Sequence, residues 1–509
     1  MTRITATRRR AVTAVSALAV LLGSAAGPAW ADTTTSTTTA QPGPSYWQPP
    51  ANYNNLPPNV GPGGQPDQTY AQGQVGCIIS GVGNVALQNE PAAQSMLDIA
   101  DAQKLGNYGA GVTVAVIDTG VNQHPFLGGR LLNGGDYILP GGNGLNDCDG
   151  HGTIVAGIIA ANTSGAGVSF TGVAPQAKIL AIKQTSSNYQ AQVNNQTTTA
   201  GDLKTLAEAI FYAASRPDVK VITMSVDECV PISAAQYIYH TNDFLQLQAA
   251  IHYAVNVAND VVIAAAGNMA SSSSNGNGSA DQNGQKNQSA CSNVPNNSNA
   301  NPDQVNMVEI PPVFADDVLS VASVNPAQGA QATGGVSSFS VWGPWVSVAA
   351  PGEGIISLDP GPGATGLSNQ TYENGQKTGL QGTSFAAPYV AGLAALIRSK
   401  YPNLSAHQVM ERIEATAQHP SGGTDGRNNE VGYGVINPVA ALTAAIPGQN
   451  GVPEEKAVNV KAQLPNEGGL NWTPILVAVI GTAAGAVLIL LVYFIIRTRR
   501  RNDEPEATP

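Results

Sequence analysis

An aspartate and a histidine each stand where an α/β fold could use them for proton chemistry. Asp118 ends a run rich in Val and Ile and is followed by Thr119 and Gly120. The carboxyl end of a parallel strand is where such folds place their functional sites, although an aspartate there often only caps a turn. His151 lies between two glycines at the entry of a predicted helix. A lone histidine is more often structural, so these two residues alone leave the function open.

A serine and an asparagine further along the chain change that interpretation. Ser384 follows Gly382 and Thr383 at the start of a long predicted helix of small residues. The free N–H groups and the positive dipole end of a helix N-terminus suit an oxyanion that forms beside a nucleophile. Asn268 directly follows the predicted strand 261–266 and its glycine, so its side-chain amide can supply a second oxyanion donor.

These residues require a scaffold in which strand ends and helix starts converge. Short runs rich in Val and Ile alternate with helical patterns, and such unbroken apolar runs fit strands buried on both faces of a parallel sheet. The predicted strands are 112–117, 178–182, 219–224, 261–266 and 318–324, and the predicted helices are 91–105, 151–162, 202–214, 242–259, 385–400 and 406–417. The sequence therefore predicts one α/β domain over residues 91–446. Two polar insertions, 184–201 and 270–304, interrupt it.

The composition excludes one broad class of function. The chain has 509 residues, and 42% hydrophobic side chains are enough for a large core. Only 11% of the residues are charged, against a usual share of about 25%. The net charge is −11, and the basic residues are concentrated at the two ends. No basic face can be assembled from such a chain, so we expect no binding of nucleic acid.

Both ends of the chain carry membrane signals. Residues 1–31 have an arginine cluster, an apolar run and an A-x-A site, which predicts a cleaved signal peptide, with an uncleaved anchor as the alternative. Residues 474–496 contain no charge and are long enough, at about 1.5 Å per residue, to cross a hydrocarbon core of roughly 30 Å. Four arginines lie in the tail 497–509, which places that tail in the cytoplasm and the predicted domain outside.

Two segments without a core of their own flank the predicted domain. Residues 32–90 form an N-terminal extension that is largely rich in Thr, Pro and Gly, and residues 447–473 form a linker to the transmembrane helix. The chain has four cysteines, an even number in an exported protein, so two disulfides are expected. Their count leaves all three connectivities open. No His, Cys or Asp cluster has ligand spacing, so we expect no metal and no cofactor.

The four motifs together resemble the subtilisin-like serine proteases, the subtilases, whose chain order is Asp, His, Ser. The resemblance implies a subtilisin-like parallel sheet with flanking helices. It implies Ser384 as nucleophile, His151 as general base and then acid, and Asp118 as the group that orients the imidazole. Asn268 is similar to the side-chain oxyanion donor of that family. Many subtilases bind calcium, but no such site can be assigned in this sequence.

A further segment is similar to the subtilase strand that pairs with the substrate backbone. It contains Ser225, Val226 and Asp227, and Asp227 stands where relatives usually have glycine. After the nucleophile, Phe385 and Tyr389 replace the more common Met and His. These departures bear on the shape of the P1 pocket and leave the proton chemistry untouched.

Within the subtilases, the chain resembles the mycosins, membrane-anchored proteases of actinobacterial type VII secretion systems. The C-terminal anchor, the polar extension and the segment 146–151 beside the histidine carry this resemblance. It implies disulfides Cys77–Cys148, between extension and domain, and Cys229–Cys291, which would anchor the larger insertion. It also implies an extension that stays on the domain without blocking the active site.

Two functions of different class follow from these features. The first is a membrane-anchored endopeptidase that cleaves exported proteins and belongs to a type VII secretion membrane complex. The second is a scaffold that clamps such a complex, with proteolysis secondary. The retention of Asp118, His151, Ser384 and Asn268 favours real activity, whereas the tether and the insertions favour a fixed partner. A surface protease of broad specificity is a third alternative.

Overall fold

The computed structural model describes residues 53–58, 61–64, 66, 68–73, 77–78, 89–193, 196–226, 228–269, 305, 307–326, 335–373, 376–420, 426–452 and 486–498. The chain divides into two compact units, Met1–Asn450 and Gly451–Pro509. The predicted signal peptide, Asp227, Cys291 and all of the larger insertion 270–304 lie outside the described residues.

Several strands of the described residues coincide with the runs of Val and Ile in the sequence. In chain order they are β1 (Ala71–Gln72), β2 (Thr113–Asp118), β3 (Leu131–Asp136), β4 (Lys178–Lys183), β5 (Ser186–Val193), β6 (Gln196–Ala200), β7 (Val219–Met224), β8 (Glu228–Pro231), β9 (Val261–Ala265), β10 (Met307–Ile310), β11 (Leu319–Val324), β12 (Val346–Pro351), β13 (Ser357–Leu358), β14 (Leu367–Ser368), β15 (Gln370–Glu373) and β16 (Gln376–Gly379).

A parallel sheet of seven strands forms the centre of the described part of the first unit. Its order is β12-β11-β9-β7-β2-β4-β3, and each neighbouring pair runs parallel. All residues of β2, β9 and β11 are buried, as expected for strands covered on both faces. The predicted α/β fold with a parallel sheet is therefore confirmed. Its carboxyl edge gathers the ends of β2, β7 and β9, which precede Thr119, Ser225 and Ala266.

Helices flank this sheet, and the described part of the first unit contains α1 (Ala92–Met96), α2 (Ile99–Leu105), α3 (His151–Ala160), α4 (Leu203–Ala214), α5 (Ile232–Ile238), α6 (Asn242–Asn256), α7 (Thr383–Lys400), α8 (Ala406–Ala415) and α9 (Pro438–Thr443). The single helix predicted over 91–105 is divided, because Asp98 adopts a left-handed conformation with φ of 50°. Helix α7 is almost wholly buried, and its small residues allow it to pack against β7, β9, β11 and β12.

The N-terminal extension contacts the domain through a small antiparallel sheet. Strand β1 pairs with β5, and β5 pairs with β6, so the described residues of the insertion 184–201 form a hairpin that the extension joins. A disulfide links Cys77 to Cys148, which is the pairing that the resemblance implies. Cys229 is also disulfide-bonded, whereas Cys291 lies outside the described residues. The extension is thus bound next to the loop that precedes α3.

Little of the second unit is described. Residues 486–498 are helical and include the carboxyl half of the predicted transmembrane segment, whose first half lies outside the described residues. Within the described part of the chain, no helix is both long and apolar enough to span a membrane.

Candidate active site

Three of the predicted residues form one line of hydrogen bonds at the carboxyl edge of the sheet. His151 Nδ1 lies 2.8 Å from Asp118 Oδ1, and His151 Nε2 lies 2.9 Å from Ser384 Oγ. Asp118 is almost completely buried and Ser384 is 7% exposed, whereas 29% of the His151 side chain is exposed. In this arrangement the imidazole can accept the proton of the serine hydroxyl while the carboxylate holds Nδ1–H.

The position of His151 depends on glycines on both sides. Gly150, with φ of 80°, turns the chain into α3 in a conformation that other residues rarely adopt. Gly152 lies against the turn after β2, where an added Cβ would come within 2.0 Å of the Gly120 carbonyl oxygen. A side chain there would push α3 away from β2. The two glycines therefore let the imidazole reach the Asp118 carboxylate.

Several carboxylates set the protonation of His151. Burial lowers the pKa of the imidazole, because the cation loses hydration, but the charge of Asp118 and its hydrogen bond outweigh this effect. Asp147 and Asp149 add negative charge nearby, so the pKa of His151 lies above its usual value of 6.5. The surroundings of His151 therefore favour its protonated form.

Ser384 stands in the first turn of α7, where backbone N–H groups have no partner within the helix. Asn268 lies beside it, and its Oδ1 accepts hydrogen bonds from Thr383 N at 3.0 Å and Thr383 Oγ1 at 3.2 Å. These contacts fix the amide and leave Nδ2 as the end that can donate. Asn268 Nδ2 and the Ser384 N–H are thus the two groups that can stabilise an oxyanion.

The predicted substrate-binding segment begins next to the nucleophile. Ser225 follows β7 and donates a hydrogen bond from Oγ to the Ser384 carbonyl oxygen at 3.1 Å. Ser225 and Val226 are partly exposed, so they can border a cleft, whereas Asp227 lies outside the described residues. The structure therefore brings Asp118, His151, Ser384, Asn268 and Ser225 together at one edge of the sheet.

Two contacts of His151 and its loop were missed by the sequence analysis. The Phe385 ring packs on the imidazole with 5.0 Å between ring centroids, so the residue after Ser384 limits the movement of the His151 ring. Asp149 accepts hydrogen bonds from the backbone N–H groups of Ser187 and Asn188 at the start of β5. The hairpin is therefore bound to the segment before His151. An acidic residue on each side of Cys148 is the only sequence signal for such a junction.

Among the described residues, no three or more His, Cys, Asp and Glu side chains form a group that could hold a metal ion.

The chain is similar to known proteins of one family over most of its length. The profile of the subtilase family matches residues 109–434. Mycosin-1 of Mycobacterium tuberculosis is 40% identical over 420 residues, which cover 80% of this chain and 85% of the relative. Mycosin-3 of the same organism is 37% identical over 484 residues, covering 90% of this chain and 96% of the relative.

Solved structures give the same result. MycP1, described as a serine protease and an essential component of the type VII (ESX-1) secretion system, is 38% identical, with a TM-score of 0.65, and the match covers 78% of this chain and all of MycP1. MycP1 from Mycobacterium smegmatis is 35% identical, with a TM-score of 0.65, covering 81% of this chain and 99% of that one. A chain of the intact ESX-5 inner membrane complex is 33% identical, with a TM-score of 0.63, covering 89% of this chain and all of that one.

The electrostatics of His151 predict the pH dependence of the site. Protonated His151 cannot accept the proton of Ser384, so kcat/KM should fall as the pH decreases through a pKa above 6.5. Asp118→Asn removes the charge that raises this pKa, so the acidic limb should move to lower pH. The variant should also lose about 10⁴-fold in kcat, because the imidazole takes the wrong tautomer. Rates of peptide cleavage between pH 5 and 9 measure both effects.

Asp101→Asn is a suitable control for this measurement, because Asp101 is an exposed residue of α2 that pairs only with Lys104 among the described residues. It should leave kcat and the acidic limb unchanged. An acidic limb at the same pH in wild type and Asp118→Asn would contradict the assignment.

Proposed function

Because this chain belongs to the subtilase family of serine proteases and, within it, to the mycosins, we propose that it cleaves exported proteins with Asp118, His151 and Ser384 as its catalytic triad. The observation that carries this proposal is the pair of hydrogen bonds of His151, at 2.8 Å to Asp118 and 2.9 Å to Ser384. No other described residue links a nucleophile, a base and a buried carboxylate in this way.

The reaction begins with the attack of Ser384 Oγ on the carbonyl carbon of the scissile peptide bond. The serine proton moves to His151 Nε2, and Asp118 stabilises the resulting imidazolium through Nδ1–H. The tetrahedral intermediate then collapses, and His151 gives the proton to the leaving amine. The acyl group remains on Ser384 until water, activated by His151, attacks and releases the second product.

Asn268 stabilises the tetrahedral intermediates of both steps. Its Oδ1 is held by Thr383 N and Oγ1, so Nδ2 is oriented before the substrate arrives. The backbone N–H of Ser384 supplies the second donor from the start of α7. Donors fixed in this way need no reorganisation when the negative charge develops, which is why they lower the barrier.

The domain is anchored at the outer face of a membrane by the helix 474–496, with the tail 497–509 in the cytoplasm. The uncharged length of that segment and the arginines that follow it support this topology, and residues 486–498 are helical. Residues 1–31 act as a cleaved signal peptide. The extension 32–90 stays on the domain 91–446, and 447–473 form the linker to the membrane.

The anchored protease is a component of a type VII secretion membrane complex. The similarity to MycP1, named as an essential component of the ESX-1 system, and to a chain of the ESX-5 inner membrane complex supports this role. The same similarity favours the second candidate, a scaffold for which proteolysis is secondary. The two candidates differ in whether secretion needs the hydroxyl of Ser384.

Substitutions in the site should reduce peptide cleavage without unfolding the protein. Ser384→Ala removes the nucleophile without a change of charge, so cleavage should fall to the residual level that the other groups sustain while the fold persists. Asn268→Ala keeps the nucleophile and should lose about 10²–10³-fold in kcat, because one oxyanion donor is gone. Peptide cleavage by membrane fractions measures both losses, with Ser399→Ala, on the far turn of α7, as the control.

The effect of Ser384→Ala on secretion can be tested in cells. Export of type VII substrates should be compared in a Ser384→Ala strain, a full deletion and a truncation before Pro474. Export that persists in Ser384→Ala but not in the deletion would support the scaffold as the essential role. Export blocked equally in both would make proteolysis essential. Normal export in all three strains would contradict the secretion role and favour a surface protease of broad specificity.

The topology predicts protection of the C-terminus. Because the arginines after residue 496 hold the tail in the cytoplasm, protease added to intact cells with permeable outer layers should spare a C-terminal tag and digest the domain. Immunoblots against the tag and against the domain show which of the two the protease digests. Digestion of the tag from outside would contradict the proposed anchor.

A further inference from the structure

Asp147 is a buried carboxylate that lies four residues before His151 and that the peptidase mechanism does not use. Its Oδ1 accepts hydrogen bonds from Thr119 Oγ1 at 2.8 Å and Gly150 N at 2.7 Å. Its Oδ2 accepts hydrogen bonds from Thr153 N at 2.8 Å and Thr153 Oγ1 at 2.6 Å. Only 1% of Asp147 is exposed. One carboxylate therefore binds both the turn after β2 and the first turn of α3.

Each of these two elements carries one member of the proposed triad. Thr119 donates its backbone N–H to Asp118 Oδ1 at 2.7 Å, the same oxygen that contacts His151 Nδ1. The Thr119 hydroxyl also accepts a hydrogen bond from Gly152 N at 2.9 Å. Thr119 is thus fixed by Asp147 on one side and orients Asp118 on the other, while Asp147 holds the start of the helix on which His151 stands.

The cost of burying Asp147 indicates that it has a specific role. Burial raises the pKa of this carboxyl to about 6, although the hydrogen bonds of Thr153 and Thr119 oppose the rise. Asp149 adds to it through like charge. Asp118 and His151 are the titratable groups on the neighbouring elements, and the buried Lys183 donates its Nζ hydrogen bond to the Asn146 carbonyl oxygen. An unneeded buried charge at this place would lower stability without benefit.

We propose that Asp147 is a positioning residue of the protease, which acts through Thr119 and the first turn of α3 to hold Asp118 and His151 at hydrogen-bond distance. This inference rests on the proposed triad. If Asp147 only stabilised the helix start, its loss would lower the thermal stability and leave kcat unchanged. If it acted only through its charge, any carboxylate equally close to His151 would have the same effect.

Asp149 provides a matched control for the effect of charge. It lies two residues from His151 and also raises the pKa of the imidazole. Its hydrogen bonds, however, go to Ser187 and Asn188 of the hairpin and not to the triad elements. Asp147→Asn and Asp149→Asn therefore remove the same charge. Only Asp147→Asn places an NH₂ donor against a backbone N–H of the triad elements, either that of Gly150 or that of Thr153, because these two donate to different oxygens of Asp147.

The experiment measures kcat, KM and the pH profile of peptide cleavage for the full-length membrane protein and its variants. Asp147→Asn should lower kcat on the order of 10- to 100-fold, because it displaces the reacting groups. KM should stay the same, because the groups that bind the substrate are unchanged. Asp149→Asn should retain kcat. Both variants should move the acidic limb of the profile to lower pH, since each removes a negative charge near His151.

Substitutions of Thr119 test whether Asp147 acts on the triad through this residue. Thr119→Val keeps the shape and loses the hydroxyl, so it should reduce kcat like Asp147→Asn, and Thr119→Ser should restore most of the loss. The double variant should lose no more than the stronger single variant, because both substitutions break one connection. Thermal melts identify a variant that fails to fold. If Asp147→Asn fails to fold, the comparison of kcat between Thr119→Val and Thr119→Ser tests the positioning role instead.

Several results would overturn the inference. They are a wild-type kcat in Asp147→Asn, an equal loss of kcat in Asp149→Asn, additive losses in the double variant, and equal kcat in Thr119→Val and Thr119→Ser. Ser384→Ala, assayed in parallel, distinguishes a failure of the proposed triad from a failure of the role of Asp147. Full activity of Ser384→Ala would overturn the proposed triad itself. Inactive Ser384→Ala together with fully active Asp147→Asn would overturn only the role of Asp147.

Discussion

The hydrogen bond between Asp118 and His151 is the contact on which the rest of the site depends. The two residues come from different elements, the end of β2 and the first turn of α3, and the bond of 2.8 Å forms only if these elements approach closely. Gly152 permits that approach, since a Cβ there would collide with the Gly120 carbonyl oxygen. Once the imidazole is held, α7 must place Ser384 at Nε2, and the buried small residues of this helix let it lie directly against the sheet.

A chain with so few charges concentrates several of its buried carboxylates around one histidine. Asp118 is hydrogen-bonded to the imidazole, Asp147 binds the two elements that carry the pair, and Asp149 binds the hairpin β5–β6. Between the last two, Cys148 joins the N-terminal extension through Cys77. The segment 147–151 is therefore the place where extension, hairpin and active site meet. This arrangement explains why an extension without a core of its own can still be ordered at β1, where it adds a short strand to β5.

Asp118, His151, Asn268 and Ser384 could be proposed from the sequence, because each of them stands in a local motif at a strand end or helix start. The strands β3 and β12 were not predicted. Leu131–Asp136 contains Asn-Gly-Gly and is only half buried, and Val346–Pro351 ends in alanines and a proline, so neither has a long Val/Ile run. The contacts of Asp147 with Thr119 and of Phe385 with His151 join segments that are distant in the chain. Such pairs depend on tertiary packing, for which one sequence has no local signal.

Labelling with a fluorophosphonate tests directly whether His151 activates Ser384, because this probe reacts with a serine only when a neighbouring base activates its hydroxyl. Ser384 Oγ displaces fluoride from the probe and forms a stable phosphonate ester, which mass spectrometry locates on a peptide. The proposed triad predicts a single adduct, on the peptide that contains Ser384, and its loss in His151→Ala, whose fold should persist. An adduct on another residue, or equal labelling of wild type and His151→Ala, would contradict it.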